Sequence, residues 1–163
     1  MVQIYISAPF RVHTSEIEGR EYGVLNSENY KQFLENVEQL IKKLGFKVCL
    51  PHRDEGQWGN IYIRPEDITE ICFNLIRSSD ILVVFPGKSR GVHIEIGYAS
   101  ALGKKLLVFL SKGEKESTLL EGLSHITETK VFRYKSMNEI MKVLKNELPK
   151  LTALIASQNQ KEE

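Results

Sequence analysis

Short apolar runs along this chain alternate with longer stretches in which apolar residues recur every three or four positions. The short runs predict β-strands, and the longer stretches predict amphipathic helices. The predicted strands cover residues 2–6, 46–50, 81–85, 106–110 and 131–134. The predicted helices cover residues 27–44, 65–79, 91–102, 116–123 and 137–155. This alternation indicates a parallel sheet with helices on its faces.

Local signals predict where several helices begin and end. Ser27 is a candidate N-cap, and Gly45 follows the last apolar position of the first helix. Pro149 lies inside the last helical pattern, where a proline removes a backbone hydrogen bond, so we expect a kink or a break there. We expect residues 1–155 to form a single domain and residues 156–163 to form a polar tail.

Composition and charge exclude several classes of protein. The 163 residues are 42% hydrophobic, which suffices for a core without disulfide or metal support. The 22 basic and 21 acidic residues leave a net charge of +1, so we expect neither a nucleic-acid polymer nor a membrane surface as partner. Cys49 and Cys72 lie in apolar surroundings without metal or redox spacing. Together with the absence of a signal-peptide or membrane-spanning pattern, this predicts a cytoplasmic protein.

The candidate chemistry follows the third predicted strand. Pro86 and Gly87 end that strand, and Glu95 lies just inside the helix that comes next. The carboxyl ends of parallel strands are where open α/β sheets bind ligands, and a helix start offers backbone N–H donors to anions. The long connections 8–26 and 51–64 follow the first two strands, so we expect them to overhang the same crevice.

Three segments, at residues 8–11, 52–59 and 89–99, carry a resemblance to a known family. Their Pro-Phe-Arg, His-Arg and His-Ile-Glu-Ile-Gly stretches resemble those of the nucleoside 2-deoxyribosyltransferase superfamily. The likeness is closer to its nucleoside 5'-monophosphate N-glycosidases, which include cytidylate hydrolases of nucleoside-antibiotic pathways. It covers roughly residues 3 to 135. The expected fold is a flavodoxin-like three-layer α/β sandwich with a five-stranded parallel sheet of order 2-1-3-4-5, which places the first and third strands at the switch point.

The resemblance assigns Glu95 the role of nucleophile at the anomeric carbon, or of stabiliser of its cationic character. A preorganised carboxylate suits the positive charge that develops as an N-glycosidic bond breaks. The alternative is that Glu95 is an ordinary acidic residue at a helix start. The resemblance also implies that Ser89, the helix amides around Gly91, and Arg11 bind a 5'-phosphate. A solvated loop arginine is the alternative for Arg11.

Aromatic and polar residues of the two long connections could bind a nucleobase. Phe10 and Trp58 offer flat faces for stacking, although Trp58 could instead pack its loop down as a lid. His52 and its neighbours Arg53, Asp54 and Glu55 could bind the edge of the base or protonate it as it leaves. Tyr5, inside the first strand, is expected to be a core residue.

One position departs from the family pattern. Family members carry an acid eight residues before the aspartate that corresponds to Asp80, and Cys72 occupies that place here. A thiol is neutral at physiological pH, so either Glu70 or Asn74 replaces the acid or the site is weakened.

The predicted function is hydrolysis of the N-glycosidic bond of a nucleoside 5'-monophosphate, with a pyrimidine base expected and no cofactor or metal. Two alternatives remain open: a 2-deoxyribosyltransferase that exchanges bases between nucleosides, and a non-catalytic nucleotide-sensing domain, which Cys72 favours. The signatures GxxxxGK[ST] and GxGxxG are absent from the sequence. Family members also imply a homodimer or larger homo-oligomer.

Overall fold

A computed structural model describes residues 1–159 of the chain, with a five-stranded parallel sheet at its centre. The strand order is β2-β1-β3-β4-β5. The flavodoxin-like prediction is therefore confirmed, including the position of β1 and β3 at the switch point. The strands are β1 (Gln3–Ser7), β2 (Lys47–Cys49), β3 (Ile81–Val84), β4 (Lys105–Ser111) and β5 (Thr129–Tyr134).

Helices cover both faces of the sheet. Helices α1 and α6 enclose one apolar cluster against it, and α3 and α4 enclose a second cluster on the opposite face. Alternation along β1 sends Ile4 and Ile6 into the first cluster and Tyr5 into the second. The helices are α1 (Glu28–Lys43), α2 (Pro51–Asp54), α3 (Pro65–Ser78), α4 (Arg90–Ala101), α5 (Thr118–Glu121) and α6 (Met137–Asn159).

The structure differs from the predicted elements at three places. Helix α2 was not predicted, because four residues are too few to show a helical period. The predicted helix at 116–123 is shorter, with a separate 3-10 turn at Leu123–His125 after α5. Of the kink or break predicted at Pro149, the break is wrong, since α6 is one helix whose buried face packs on the sheet on both sides of the proline.

Both ends of α1 carry the capping residues that the sequence predicts. The Ser27 hydroxyl accepts a hydrogen bond from Tyr30 N at 3.3 Å, as expected of an N-cap. Gly45, at a φ of 90°, takes the left-handed conformation that ends α1. Of the predicted polar tail, residues 156–159 belong to α6, and residues 160–163 lie outside the described residues.

Among residues 1–159, no helix combines the length and apolar character needed to cross a membrane. Within the same residues, no group of three or more His, Cys, Asp or Glu side chains could hold a metal ion.

Candidate active site

The Glu95 carboxylate lies between α4 and the carboxyl end of β1. Tyr5 Oη donates a hydrogen bond to Glu95 Oε1 at 2.9 Å, and Ser7 Oγ donates a second to Oε2. Strand alternation puts Tyr5 and Ser7 on the same face of β1, which is the face that α4 covers. Both carboxylate oxygens are therefore held by the sheet before any ligand arrives.

Burial and mutual contact shift the pKa values of three neighbouring groups, Glu95, Tyr5 and Cys72. Burial raises the pKa of Glu95, and hydrogen bonds from Ser7, Tyr5 and Cys72 partly oppose that rise. Burial, followed by the charge of Glu95, raises the pKa of Tyr5, so the phenol stays protonated as a donor. The same two causes raise the pKa of the Cys72 thiol to about 12. The cluster is thus one carboxylate among neutral donors.

A cavity of about 550 Å³ opens in front of Glu95. It lies beyond the carboxyl ends of β1 and β3, beneath the connections 8–26 and 51–64. It brings together most of the residues that the sequence singled out: Phe10, Arg11, His52, Ser89, Gly91 and Glu95. A nucleotide-sized molecule fits a cavity of this volume.

Cationic and N–H donor groups gather on the side of the cavity where α4 begins. Ser89 is the N-cap of α4, and its Oγ accepts a hydrogen bond from Val92 N at 3.3 Å. The hydroxyl hydrogen of Ser89 remains available to a ligand oxygen. Arg11, Lys88 and Arg90 also line the cavity, and all three are exposed. This arrangement suits an anionic group such as a phosphate.

Aromatic and apolar side chains line another part of the cavity. The Phe10 ring makes edge contacts with Tyr22, at a centroid distance of 5.5 Å, and with His52, at 5.0 Å. Ile63 and Ile68 line the cavity as well. Flat apolar surfaces of this kind accommodate the faces of a nucleobase.

His52 is held at the end of β1. Its Nε2 lies 2.9 Å from the carbonyl oxygen of Ala8, and its Nδ1 is buried without a partner among residues 1–159. Burial lowers the pKa of His52 to about 4, so the ring is neutral at physiological pH.

Trp58 is not brought into the cavity. Its ring packs against the apolar cluster on the α1 side of the sheet and lies 5.9 Å from Lys31 Nζ. Its carbonyl oxygen accepts a hydrogen bond from Leu25 N at 2.8 Å. These contacts correspond to the packing role considered for Trp58 and not to base stacking, because Trp58 does not line the cavity and packs on the opposite side of the sheet from α4.

The polar neighbours of His52 hold helix α2 in place. Arg53 forms ion pairs with the buried Glu38 of α1 and with Asp54. Asp54 Oδ2 also accepts a hydrogen bond from Leu50 N at 2.8 Å. Arg53 and Asp54 therefore serve to fix the start of the second connection, and neither lines the cavity among the described residues.

The two long connections are joined to each other above the cavity. Tyr22 Oη accepts a hydrogen bond from Ile63 N at 2.9 Å and donates one to Ile63 O at 3.0 Å. Gly59 lies so close to Gly23 that a Cβ atom at position 59 would be 2.3 Å from the Gly23 carbonyl oxygen. We call residues 8–26 and 51–64 together the cap.

Sequence reasoning missed several of these groups. Tyr5 is buried as predicted, but its hydroxyl contacts Glu95, and Ser7 was not considered as a partner. Two hydroxyl residues two positions apart in an apolar strand are a signal that could have found them, since they share one face. Neither Glu70 nor Asn74 lines the cavity of the described residues, so Cys72 alone stands where the family acid is expected.

The fold and the site define an α/β enzyme with a carboxylate at the sheet's switch point beside a cationic helix start. The sequence profile of the nucleoside 2-deoxyribosyltransferase family matches residues 23–146, and the chain belongs to this family. The chain is accordingly an enzyme of the glycosidase or glycosyl-transferase type that acts on nucleosides or nucleotides. The alternative of a non-catalytic nucleotide-sensing domain is not supported.

Solved structures are similar in fold. The CMP N-glycosidase BcmB of Clostridium botulinum is 24% identical over 89% of this chain and 98% of its own, with a TM-score of 0.66. BlsM is 23% identical over 94% of this chain and 93% of its own, with a TM-score of 0.74. A 2-deoxyribosyltransferase of the psychrotolerant bacterium Bacillus psychrosaccharolyticus is 20% identical over 86% and 90%, with a TM-score of 0.55. No curated protein sequence matches the chain.

Proposed function

We propose that this enzyme hydrolyses the N-glycosidic bond of a pyrimidine nucleoside 5'-monophosphate. The observation that carries the proposal is the position of Glu95, held by Tyr5 and Ser7 and facing a cavity that also contains the N-terminus of α4. The similarity in fold to a protein described as a CMP N-glycosidase agrees with this choice of substrate.

In the first step, a Glu95 carboxylate oxygen forms a bond to C1' of the sugar while the bond from C1' to the base nitrogen breaks. The base leaves with that electron pair and takes up one proton. Positive charge develops on the sugar ring, and the nearby carboxylate stabilises it more strongly than the neutral ground state. Tyr5 and Ser7 keep the carboxylate oriented during this step.

In the second step, a water oxygen attacks C1' and the ester bond to Glu95 breaks. The water loses one proton, so the net reaction of nucleotide and water yields the free base and the sugar 5-phosphate. The two displacements at one carbon follow the pattern of retaining glycosidases. The proton that the water loses passes to the solvent and balances the one that the base took up in the first step, so Glu95 leaves C1' as a carboxylate.

The cationic groups favour a phosphorylated substrate over a nucleoside. Arg11, Lys88 and Arg90 line the same cavity as the Ser89 N-cap, and a 5'-phosphate there would pair with guanidinium and backbone N–H donors. A 2-deoxyribosyltransferase would use the same Glu95 but transfer an unphosphorylated deoxyribose to a second base, and it would have little use for this charge.

Chromatography of free bases after incubation with a panel of nucleotides and nucleosides tests the proposal. We expect base release from at least one pyrimidine 5'-monophosphate, slower release from its nucleoside, and none with Glu95→Gln. Formation of a new nucleoside when a second base is added would instead support the transferase. Absence of release from every compound would refute both.

We further propose that residues 1–155 fold as one domain and that the protein is a cytoplasmic homodimer or larger homo-oligomer. Exposed apolar side chains on the outer face of α4 support the assembly, since Ile94 is 54% exposed and the adjoining Leu102 is 36% exposed. Light scattering after size-exclusion chromatography measures the mass. An Ile94→Asp variant should shift that mass towards the monomer, and a monomeric wild type would contradict the assembly.

A further inference from the structure

The cavity wall holds few groups that could give a proton to a leaving base. Glu95 is the only carboxyl group among the described residues that line the cavity, and it must be ionised to attack C1'. The proposed function places the phosphate among four further lining residues: Arg11, Lys88, Ser89 and Arg90. In the described part of the chain, the remaining lining side chains that carry an exchangeable proton are those of Tyr5, Tyr22, His52 and Cys72.

The hydroxyl protons of the two tyrosines are already held by the protein. Tyr5 Oη donates its proton to Glu95 Oε1 at 2.9 Å. Tyr22 Oη donates its proton to Ile63 O at 3.0 Å and accepts one from Ile63 N at 2.9 Å. A hydroxyl group carries a single proton. Neither tyrosine can therefore donate to a base without breaking a contact that holds the nucleophile or the cap.

His52 and Cys72 keep their protons as well. A carbonyl oxygen only accepts hydrogen bonds, so the 2.9 Å contact with Ala8 O requires His52 Nε2 to carry the ring proton. Burial lowers the pKa of His52 to about 4, so the ring holds no second proton at neutral pH. Burial, followed by the charge of Glu95, raises the pKa of Cys72 to about 12. Burial is the larger cause, and it persists when Glu95 forms its ester with the sugar.

The two acids of the second connection do not fill this gap. Asp54 pairs with Arg53 and accepts a hydrogen bond from Leu50 N. Neither Asp54 nor Glu55 is among the described residues that line the cavity. Outside the groups given to the phosphate, the cavity wall of residues 1–159 thus offers no side chain suited to act as a general acid.

We infer that the base leaves as an anion, without a proton from the enzyme, and that this favours pyrimidines made electron-poor by a substituent at C5. The inference rests on the proposed function. As the bond from Glu95 to C1' forms, the bond from C1' to N1 breaks and N1 keeps the electron pair. The departed anion then takes a proton from water, and the proton released by the attacking water of the second step restores the balance. Without a general acid, the barrier depends on the stability of the N1 anion, which an electron-withdrawing group increases.

Base release in a single turnover tests the inference, because with saturating enzyme in excess over nucleotide it reports the first step alone. The substrates are CMP and UMP, each with its 5-fluoro and 5-methyl derivatives, in ribose and 2'-deoxyribose forms. Within each series the hydrogen-bonding edge of the base is unchanged. We expect the 5-fluoro compound to release its base at least about 10-fold faster than the parent, and the 5-methyl compound to be slower. Proton transfer from a general acid would reduce the first difference to about 3-fold or less.

The solvent provides a second readout. No proton moves while the bond from C1' to N1 breaks, so base release should proceed at the same rate in D2O and in H2O, compared where the rate does not change with pH. A general acid would transfer its proton in this step, and release would then be slower in D2O.

Three variants each remove one of the remaining proton donors: Tyr22→Phe, His52→Asn and Cys72→Ala. Circular dichroism and thermal unfolding establish that each variant is folded. A structural role of the side chain lowers the rates for all compounds of a series alike, so we expect the ratio of 5-fluoro compound to parent to remain that of wild type. Removal of a true general acid would enlarge this ratio, because the base would then leave without assistance.

Equal release from the 5-fluoro and parent nucleotides by wild type would overturn the inference. Slower release in D2O would overturn it too, as would a larger ratio in any of the three variants. These outcomes leave the proposed function intact, since base is released in each of them. Release from none of the compounds would instead refute the proposed function, and the inference with it.

Discussion

Tyr5 Oη donates a hydrogen bond to Glu95 Oε1 at 2.9 Å, although 90 residues separate the two in the chain. The bond joins the first strand to α4 directly beneath the cavity. It fixes the carboxylate in the apo protein, so little reorganisation is needed when charge develops on a substrate. It also stabilises the ionised form of Glu95 against the effect of burial.

Loss of the Tyr5 hydroxyl should change the pH dependence of catalysis. Glu95 must be ionised to attack, and the hydrogen bond from Tyr5 lowers its pKa, so Tyr5→Phe should raise that pKa further. The acid limb of a kcat/KM profile should therefore move to higher pH, with a loss of about 10-fold or more at neutral pH. Ser7→Ala should move the limb in the same direction.

Tyr98→Phe is the matched control, because Tyr98 lies one turn along α4 and packs edge-on against Phe73. A shift of similar size in Tyr98→Phe would contradict the role given to Tyr5.

Replacement of Glu95 should separate activity from stability. Glu95→Gln removes the nucleophile, so base release should fall by about 1000-fold or more. Because burial raises the pKa of Glu95, wild type loses stability as pH rises through that pKa, whereas the glutamine variant does not. At pH 7 we expect the melting temperature of the variant to exceed that of wild type. The difference should shrink as pH falls and wild type becomes protonated. A lower melting temperature of the variant at pH 7 would refute the explanation.

The sequence predicted the strands and the position of Glu95 because both depend on regular patterns, whereas the sheet order was expected from the family resemblance. Apolar runs such as 81–85 identify buried strands, and a helix that starts soon afterwards places Glu95 at the switch point. The partners of Glu95 depend on which strand lies beside which helix, and Tyr5 looks like any core residue until that packing is known. The position of Trp58 could not be predicted either, since an aromatic side chain in a loop can contact the ligand or the core and the local sequence is the same in both cases.

Removal of the Arg11 guanidinium should reduce the discrimination between nucleotides and nucleosides. Arg11 lines the cavity together with Ser89, and it would pair with the phosphate alone. Arg11→Ala should lower kcat/KM for a 5'-monophosphate by about 10- to 100-fold and leave that for the nucleoside within about 3-fold. Arg77→Ala, at the exposed end of α3, removes the same charge away from the cavity and should change neither value. If Arg11→Ala lowered kcat/KM equally for the nucleotide and the nucleoside, Arg11 would not bind the phosphate.

The Cys72 thiol should be unreactive in the folded protein despite its place in the cavity wall. Burial and the charge of Glu95 raise its pKa to about 12, and the thiolate is the reactive form. Iodoacetamide at pH 8, followed by mass spectrometry of peptides, should label Cys72 at least about 100 times more slowly than in unfolded protein. Glu95→Gln removes the charge and should speed the labelling. Rapid labelling of native wild type would show that the thiol is ionised and that Cys72 is not a neutral donor beside Glu95.

Close contact between Gly59 and Gly23 should make the cap intolerant of a single methyl group. Both Gly59 and Gly45 have a φ of 90°, so alanine at either position carries the same left-handed strain of about 1–2 kcal/mol. They differ in their surroundings: a Cβ at position 45 meets nothing within 4 Å, whereas at position 59 it would lie 2.3 Å from the Gly23 carbonyl oxygen. Gly59→Ala should therefore lower the free energy of unfolding in urea by more than Gly45→Ala does. Gly59→Ala should also raise KM, because separation of the two connections displaces Tyr22 and Ile63 from the cavity wall. The control Gly45→Ala should leave KM unchanged. Equal effects of the two substitutions on stability and on KM would mean that the contact between the connections does not shape the site.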